Sequence, residues 1–124
     1  RQLSRYQKWN FGLWAVILKE TGEMIGQCGL TMQQWKETEV LEIGYLFNRS
    51  YWHKGYATEA ATACKNYAFN RLKAEEVCSI IRDTNTASQN VAVRIGMTKT
   101  DMWTKHYRGV DMPHYRYVIR NLGG

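Results

Sequence analysis

Proline is nearly absent from this chain: Pro113 is the only one among 124 residues. With hydrophobic residues at 44% and charged residues at 23%, that composition excludes collagen-like, proline-rich and disordered classes. Cysteine is scarce as well. Cys28, Cys64 and Cys78 are the three present, and they form no CxxC pair. An odd count without paired spacing argues against a disulfide framework or a Cys-rich zinc site, and for a reducing, cytoplasmic setting. The longest apolar run, 13–18, is far too short to span a bilayer, so no membrane is expected. No charged-then-apolar leader pattern opens the chain. His53, His106 and His114 show no metal-ligand spacing, so no metal is expected. The GxGxxG dinucleotide fingerprint and the GxxxxGKS/T phosphate loop are both missing, which disfavours hydride-transfer enzymes and ATPases.

Basic residues are in surplus, 17 against 11 acidic, for a net charge of +6. Such a surplus favours anionic partners: nucleic acid, phosphorylated cofactors or acidic proteins. No basic tract of five or more occurs, and no RNP-type motif, which disfavours nucleic acid. The length fits one domain, 1–124, and no repeat or linker divides it. Arg1 rather than Met opens the sequence, so it reads as trimmed or as a piece of something longer.

Apolar patterning places the elements. Residues 1–12 are polar and aromatic without a period, and read as a loop or a helix end. The run 14–18 reads as a buried strand. The turn signal Lys19-Glu20-Thr21-Gly22 then leads to a strand at 24–30, making a hairpin. The polar stretch 31–40 reads as a loop or ragged strand end, followed by a strand at 41–47. A helix is predicted over 56–72, because Ala57, Ala60, Ala61, Cys64, Tyr67, Ala68 and Leu72 share one helical face. Its small residues allow close packing on a sheet. A strand at 76–81 follows, then a short helix at 86–95, capped near Asn85 and closed by Gly96. Final strands are predicted at 97–103 and 115–119, joined by a loop holding Arg108, Gly109 and Pro113. The order is β-β-β-α-β-α-β-β, a mixed α/β (α+β) sheet domain, with a βαβ crossover between 41–47 and 76–81.

The most informative stretch is Trp52-His53-Lys54-Gly55-Tyr56-Ala57, between a predicted strand and a predicted helix. Gly55 and Ala57 permit a tight turn and close approach to a ligand. The first N–H groups of a helix lack internal partners and carry partial positive charge, which suits a diphosphate. Arg49 and Lys54 add charge. An ordinary strand-to-helix turn would also use a glycine there. His53 reads as an exposed turn residue or as a phosphate contact. Cys64 and Cys78 read as buried packing, and no base adjoins any cysteine to make it a nucleophile. The five Trp and eight Tyr are mostly core. Trp9, Trp35, Trp103 and Tyr107 fall near predicted loops, where they would line a cleft or a dimer contact.

At this stretch the sequence resembles the GCN5-related N-acetyltransferases, whose Q/R-x-x-G-x-G/A turn holds acetyl-CoA. Trp52 stands at the Q/R position, Gly55 at the glycine and Ala57 at the last small position. Trp there is the pattern of the Rim-type branch, which acetylates ribosomal-protein N-termini, and of its small-molecule relatives. The run Glu42-Ile43-Gly44-Tyr45, then 51–60, is similar to that branch, with His53 in place of a small residue. A second family pattern, N-x-x-S-x-x-V-x-x-K-x-G-F, is met by Asn85, Ser88, Val91, Arg94, Gly96 and Met97.

The resemblance implies direct attack of an amine on the acetyl-CoA thioester in a ternary complex. It implies diphosphate binding by the turn 53–58, that is His53, Lys54, Gly55, Tyr56, Ala57 and Thr58. It implies an oxyanion donor among the backbone N–H groups of Tyr45, Leu46 and Phe47. Glu42 is the candidate base, with Glu39 as the alternative. Many relatives use a Tyr in the second helix as proton donor. Ala92 stands there, which leaves Ser88 as the catalytic candidate, its other reading being a helix-capping hydroxyl. Asn85 is expected at the pantetheine or in an Asx turn. The implied acceptor is a small-molecule amine or a protein N-terminus. Family members begin with a strand and two helices before the hairpin, which this chain is expected to lack. That loss would expose the hairpin's edge and favour a homodimer or a covered edge. The competing readings are a basic nucleic-acid- or ribosome-binding module and an inactive CoA-binding relative.

Overall fold

The computed structural model describes residues 2–8, 11–52 and 54–121. Its strands are β1 (Gln2–Lys8), β2 (Phe11–Ile17), β3 (Met24–Trp35), β4 (Thr38–Phe47), β5 (Glu76–Arg82), β6 (Thr98–Tyr107) and β7 (Val110–Arg120). Helix α1 (Tyr56–Asn70) joins β4 to β5, and α2 (Thr86–Arg94) joins β5 to β6. The strands form one mixed sheet in the order β1-β2-β3-β4-β5-β7-β6. Neighbours are antiparallel except β4 and β5, which the α1 crossover makes parallel, as expected.

Three stretches differ from the sequence-based expectation, each because strand pairing overrides weak side-chain periodicity. Residues 1–12, expected as loop or helix end, hold β1 and the start of β2, paired from Gln2↔Ile17 to Lys8↔Phe11. The β2 edge is therefore covered within the chain, the second of the two expected outcomes. The order gains this strand and becomes β-β-β-β-α-β-α-β-β. Residues 31–40, expected as a loop, extend β3 and β4 into a long hairpin paired as far as Trp35↔Thr38. The expected 104–114 loop shrinks to Arg108 and Gly109, with φ of 51° and 77°. Two positive φ values fit a tight hairpin turn whose twist matches its strands. Pro113 lies inside β7 opposite Thr104, and its carbonyl accepts the Asp83 N–H at 3.0 Å.

Both described helices pack on one face of the sheet. Ala60, Ala61, Cys64 and Ala68 form the buried stripe of α1, and their small size lets the helix lie close to β3 and β4. Cys64 Sγ comes within 2.9 Å of Cys28 Sγ on β3. Val16, Ile25, Leu30, Ile43 and Val77 fill the space beneath. Gly26 is required by that packing: a Cβ there would stand 2.6 Å from the Leu46 carbonyl oxygen. Cys28, Cys64 and Cys78 are all buried.

The opposite face has its own apolar cluster: Trp35, Val40 and Cys78, with Ile80, Trp103 and Val118 against it. The tip of the β3–β4 hairpin reaches across to β6. The Trp35 indole N–H donates to Asp101 Oδ2 at 2.9 Å, and Lys36 Nζ lies 3.0 Å from the same carboxylate. The indole of Trp103 meets Trp35 edge-on, centroids 5.5 Å apart. Those donors, Trp35 before Lys36, hold the Asp101 carboxyl down at about 2. Trp35 and Trp103, expected near loops, are thus strand residues that close one end of this face. Trp35→Ala removes the buried ring and its anchor. It is expected to lower stability by about 3 kcal/mol or more in urea unfolding. A loss below about 1 kcal/mol would show that the ring does not anchor the tip.

Candidate active site

The site begins where the sheet fails to close. β4 and β5 share a single register pair, Glu42↔Cys78. Beyond it the strands part, and two side chains span the gap in place of the backbone ladder. Ser79 Oγ donates to the Ile43 carbonyl at 2.9 Å. The Ile80 N–H donates to Glu42 Oε2, also at 2.9 Å. Ligands in α/β sheets bind at the carboxyl ends of strands where the topology switches direction, and this gap is such a place.

Two cavities meet at the gap. The first, open to solvent, is lined by Tyr45, Leu46 and Phe47 of β4, by Tyr51, Trp52, Gly55, Ala57 and Thr58, and by the cavity side of α2. The second is lined by residues 42–45 of β4, 79–82 of β5, Asn85 and Ser88. Tyr45, Asn85 and Ser88 line both. Alternation along β4 places Leu41, Ile43 and Tyr45 toward the helices, and Val40 and Glu42 toward the opposite face. The gap therefore connects the two faces of the sheet at Glu42. Glu39, the alternative base, is exposed and three residues away, which puts it on the other face of the strand.

The first cavity ends at the N-terminus of α1. Gly55 is the N-cap residue, with φ of 82° and no side-chain cap. A non-glycine residue is strained at that angle. Space for a Cβ exists, since nothing lies within 4 Å of its position. The first helical bond runs from Glu59 N–H to the Gly55 carbonyl at 3.0 Å. The N–H groups of Ala57 and Thr58 precede it and have no carbonyl four residues back to meet. Thr58 Oγ1 is buried without a hydrogen-bond partner, beside this cavity. Buried hydroxyls normally have partners, so an orphan here fits a missing polar ligand. Open N–H groups, helix polarity and a spare hydroxyl form an anion cradle. Arg94 adds positive charge to the lining.

Trp52 has a task the sequence did not reveal. Its indole N–H donates to the Phe47 carbonyl at 2.9 Å, pinning the turn to the end of β4, and the Arg49 guanidinium stands 5.3 Å over its ring. Lys54 and Tyr56 do not line either cavity. Lys54 Nζ lies 5.6 Å above the Tyr51 ring, and the Tyr56 ring packs 6.0 Å from it. His53 lies outside the described residues. His106 meets Asp111, and His114 Nδ1 lies 2.9 Å from the Met112 carbonyl.

Helix α2 supplies the other wall. Asn85 is its N-cap residue and accepts the Ser88 N–H at 3.1 Å, as the Asx reading expects. Ser88 is therefore not the capping hydroxyl. The Tyr45 hydroxyl crosses the gap and donates to the Ser88 carbonyl at 2.8 Å. Arg94, Asn90, Ser79 and Arg82 also line the cavities, and sequence reasoning assigned them no role. Arg94 had a signal in the family spacing; Ser79 and Arg82 emerge only when β5 is set beside β4.

Electrostatics single out Glu42. Burial pushes its carboxyl above the ordinary value, partly offset by the Ile80 N–H and by Lys105. One carboxylate oxygen meets Ile80, leaving the other for a proton. The thiols point elsewhere: burial pushes Cys78 up to about 11, and the contact with Cys64, then burial, pushes Cys28 well up. Such thiols are poor nucleophiles.

This fold and this gap define an acyl-transferase-like α/β domain, and the comparisons place it. The chain belongs to the acetyltransferase (GNAT) domain family, whose model matches residues 2–98. It is 42% identical over 105 residues to the uncharacterized protein YkkB of Bacillus subtilis (strain 168), covering 78% of this chain and 61% of that protein. The chain thus spans less than two thirds of that curated relative. The GNAT-family acetyltransferase from Bacillus anthracis superposes with a TM-score of 0.74 at 29% identity, over 87% of this chain and 65% of that one. The ribosomal-protein-S5-alanine acetyltransferase from Vibrio fischeri reaches a TM-score of 0.78 at 18% identity, over 90% and 62%, and shares the fold.

A raised carboxyl has a consequence for stability. Ionising Glu42 costs more in the folded chain than in the unfolded one, so its contribution to stability is greatest below about pH 4.5 and is lost as pH rises through the raised value. Glu42→Gln keeps an acceptor for Ile80 and removes the charge. In urea unfolding it is expected to equal or exceed the wild type at pH 8, with the difference closing below pH 4.5. A variant clearly weaker than wild type at pH 8 would mean that the fold favours the ionised form.

Proposed function

We propose that this chain carries the transfer site of an N-acetyltransferase that moves an acetyl group from acetyl-CoA to a primary amine by direct attack. The observation that carries this is the half-buried Glu42 carboxylate at the parting of β4 and β5, where a cavity from the α1 N-terminus meets one from the opposite face. Acetyl-CoA supplies an acetyl group activated as a thioester. In this reading Ala57 and Thr58 N–H groups, the Thr58 hydroxyl and Arg94 hold the diphosphate. The exposed end of β4, Tyr45 to Phe47, borders the pantetheine path and offers backbone donors for developing negative charge.

The acceptor enters from the face opposite the helices and meets Glu42. The carboxylate takes the proton of its ammonium, for which a raised pKa is suited. The free amine then attacks, the N–C bond forms, the C–S bond breaks, and the acylated nitrogen gives its second proton to water. Ser88 is the hydroxyl available to return a proton to sulfur. The Rim-type affinity rests on Trp52 and the run that follows. The acceptor is assigned here only as a primary amine, small molecule or protein N-terminus.

The test is calorimetry with acetyl-CoA, followed by amine-dependent release of free thiol across a panel of amines. One-to-one binding and turnover are expected. Glu42→Gln should lower kcat at least 100-fold, with acetyl-CoA affinity changed by less than about threefold. The wild-type rate should fall on the acid side as Glu42 takes up its proton, at a pH above the ordinary carboxylate range. Gly55→Val strains the turn and should weaken acetyl-CoA binding at least tenfold. Binding without turnover on any amine would leave an inactive CoA-binding relative in place of this reading.

A further inference from the structure

The proton donor is the least furnished part of this site. Ala92 is fully buried and offers only a methyl group. Two hydroxyls remain where the cavities meet, those of Tyr45 and Ser88, and they stand on opposite walls. They are not equivalent. The Tyr45 proton is committed to the Ser88 carbonyl at 2.8 Å. Burial, with Cys28 and Glu42 as lesser causes, pushes that phenol well above its ordinary value. Tyr45 is thus a poor proton source but a firm strut. Ser88 is gripped on both sides of its backbone, its N–H by Asn85 Oδ1 and its carbonyl by Tyr45. Ser88 lines both cavities, and its hydroxyl, like that of Ser79, approaches the Tyr45 phenol.

The far side of α2 is moored separately. The Tyr117 hydroxyl donates to Gln89 Oε1 at 2.7 Å, and Gln89 Nε2 donates to the Asp83 carbonyl at 3.0 Å. Removing the Tyr45 hydroxyl therefore leaves the helix docked and frees only its cavity side.

We propose that Tyr45 is a positioning residue: by holding the Ser88 carbonyl across the gap, it sets the spacing of α2 from β4 and aims the Ser88 hydroxyl at the junction of the two cavities. The proposal rests on the acetyl-transfer reading above. In that step Ser88 Oγ–H gives its proton to sulfur as the C–S bond breaks, and regains one, through water, from the acylated nitrogen.

A double-mutant cycle separates this role from general packing. Amine-dependent thiol release is measured for wild type, Tyr45→Phe, Ser88→Ala and the double variant. Ser88→Ala is expected to lower kcat about 10- to 100-fold. Tyr45→Phe should lower it about 5- to 10-fold, with KM for acetyl-CoA within twofold. In the Ser88→Ala background Tyr45→Phe should add nothing. Tyr117→Phe is the structural control: it should lower the melting temperature but act equally with or without Ser88. Multiplying losses for Tyr45 and Ser88, or a KM rise matching the kcat fall, would overturn the strut. A wild type that turns over with no dependence on Ser88 would overturn it too, while leaving acetyl transfer standing. A wild type that neither binds acetyl-CoA nor turns over would overturn the transfer reading and this assignment together.

Discussion

Everything functional in this molecule depends on a sheet that is left open at one seam. A parallel pair joined at one register position would be weak if nothing replaced the missing ladder bonds. Here Glu42 and Ser79 replace them with side chains, reaching the Ile80 N–H and the Ile43 carbonyl. The same bond that closes the seam holds a carboxylate at the mouth of the gap in a partly desolvated state. In the proposed reaction structure and chemistry share one group, whose pKa is pushed up by burial and pulled back by the backbone donor.

The seam stays open because its two sides are fixed by different partners. β4 is locked along its length to β3, from Gly26↔Phe47 to Trp35↔Thr38. β5 is locked to β7, from Glu76↔Arg120 to Arg82↔His114. Helix α1 bridges them from one face with a stripe of small residues. From the other face the Trp35–Asp101 contact ties the far hairpin to β6. These constraints leave a gap that two helix N-termini border. A preformed gap of this kind needs little reorganisation to hold a ligand, which favours both binding and catalysis.

The covering of β2 by β1 changes how the chain is seen. The hairpin edge is not bare, so the open surface of interest is a sheet face rather than a strand edge. That face carries Val40, Cys78 and Trp103 at one end and Glu42 at the gap. In the proposed reaction an acceptor approaching Glu42 crosses it, whereas acetyl-CoA held at α1 comes from the helix side. The separation of the two approaches follows from the alternation of side chains along a single strand, β4.

Sequence by itself determined the elements with a strong period or a turn signal. The stripe 57–68 announced α1, the Gly55 turn announced its start, and Asn85 with Gly96 bracketed α2. These are local properties, fixed by backbone angles and by contacts within a few residues. Family spacing then named Glu42, Ser88 and the turn. Tertiary structure alone decided the rest. The polar strands of 31–40 and 2–8 exist because neighbours complete their hydrogen bonds, and no residue in them states that locally. Ser79, Ile80 and Tyr45 gained their roles only when β5 was laid beside β4 and α2 across both. Those contacts join residues about forty positions apart, and a chain read in order has no term for distance in space.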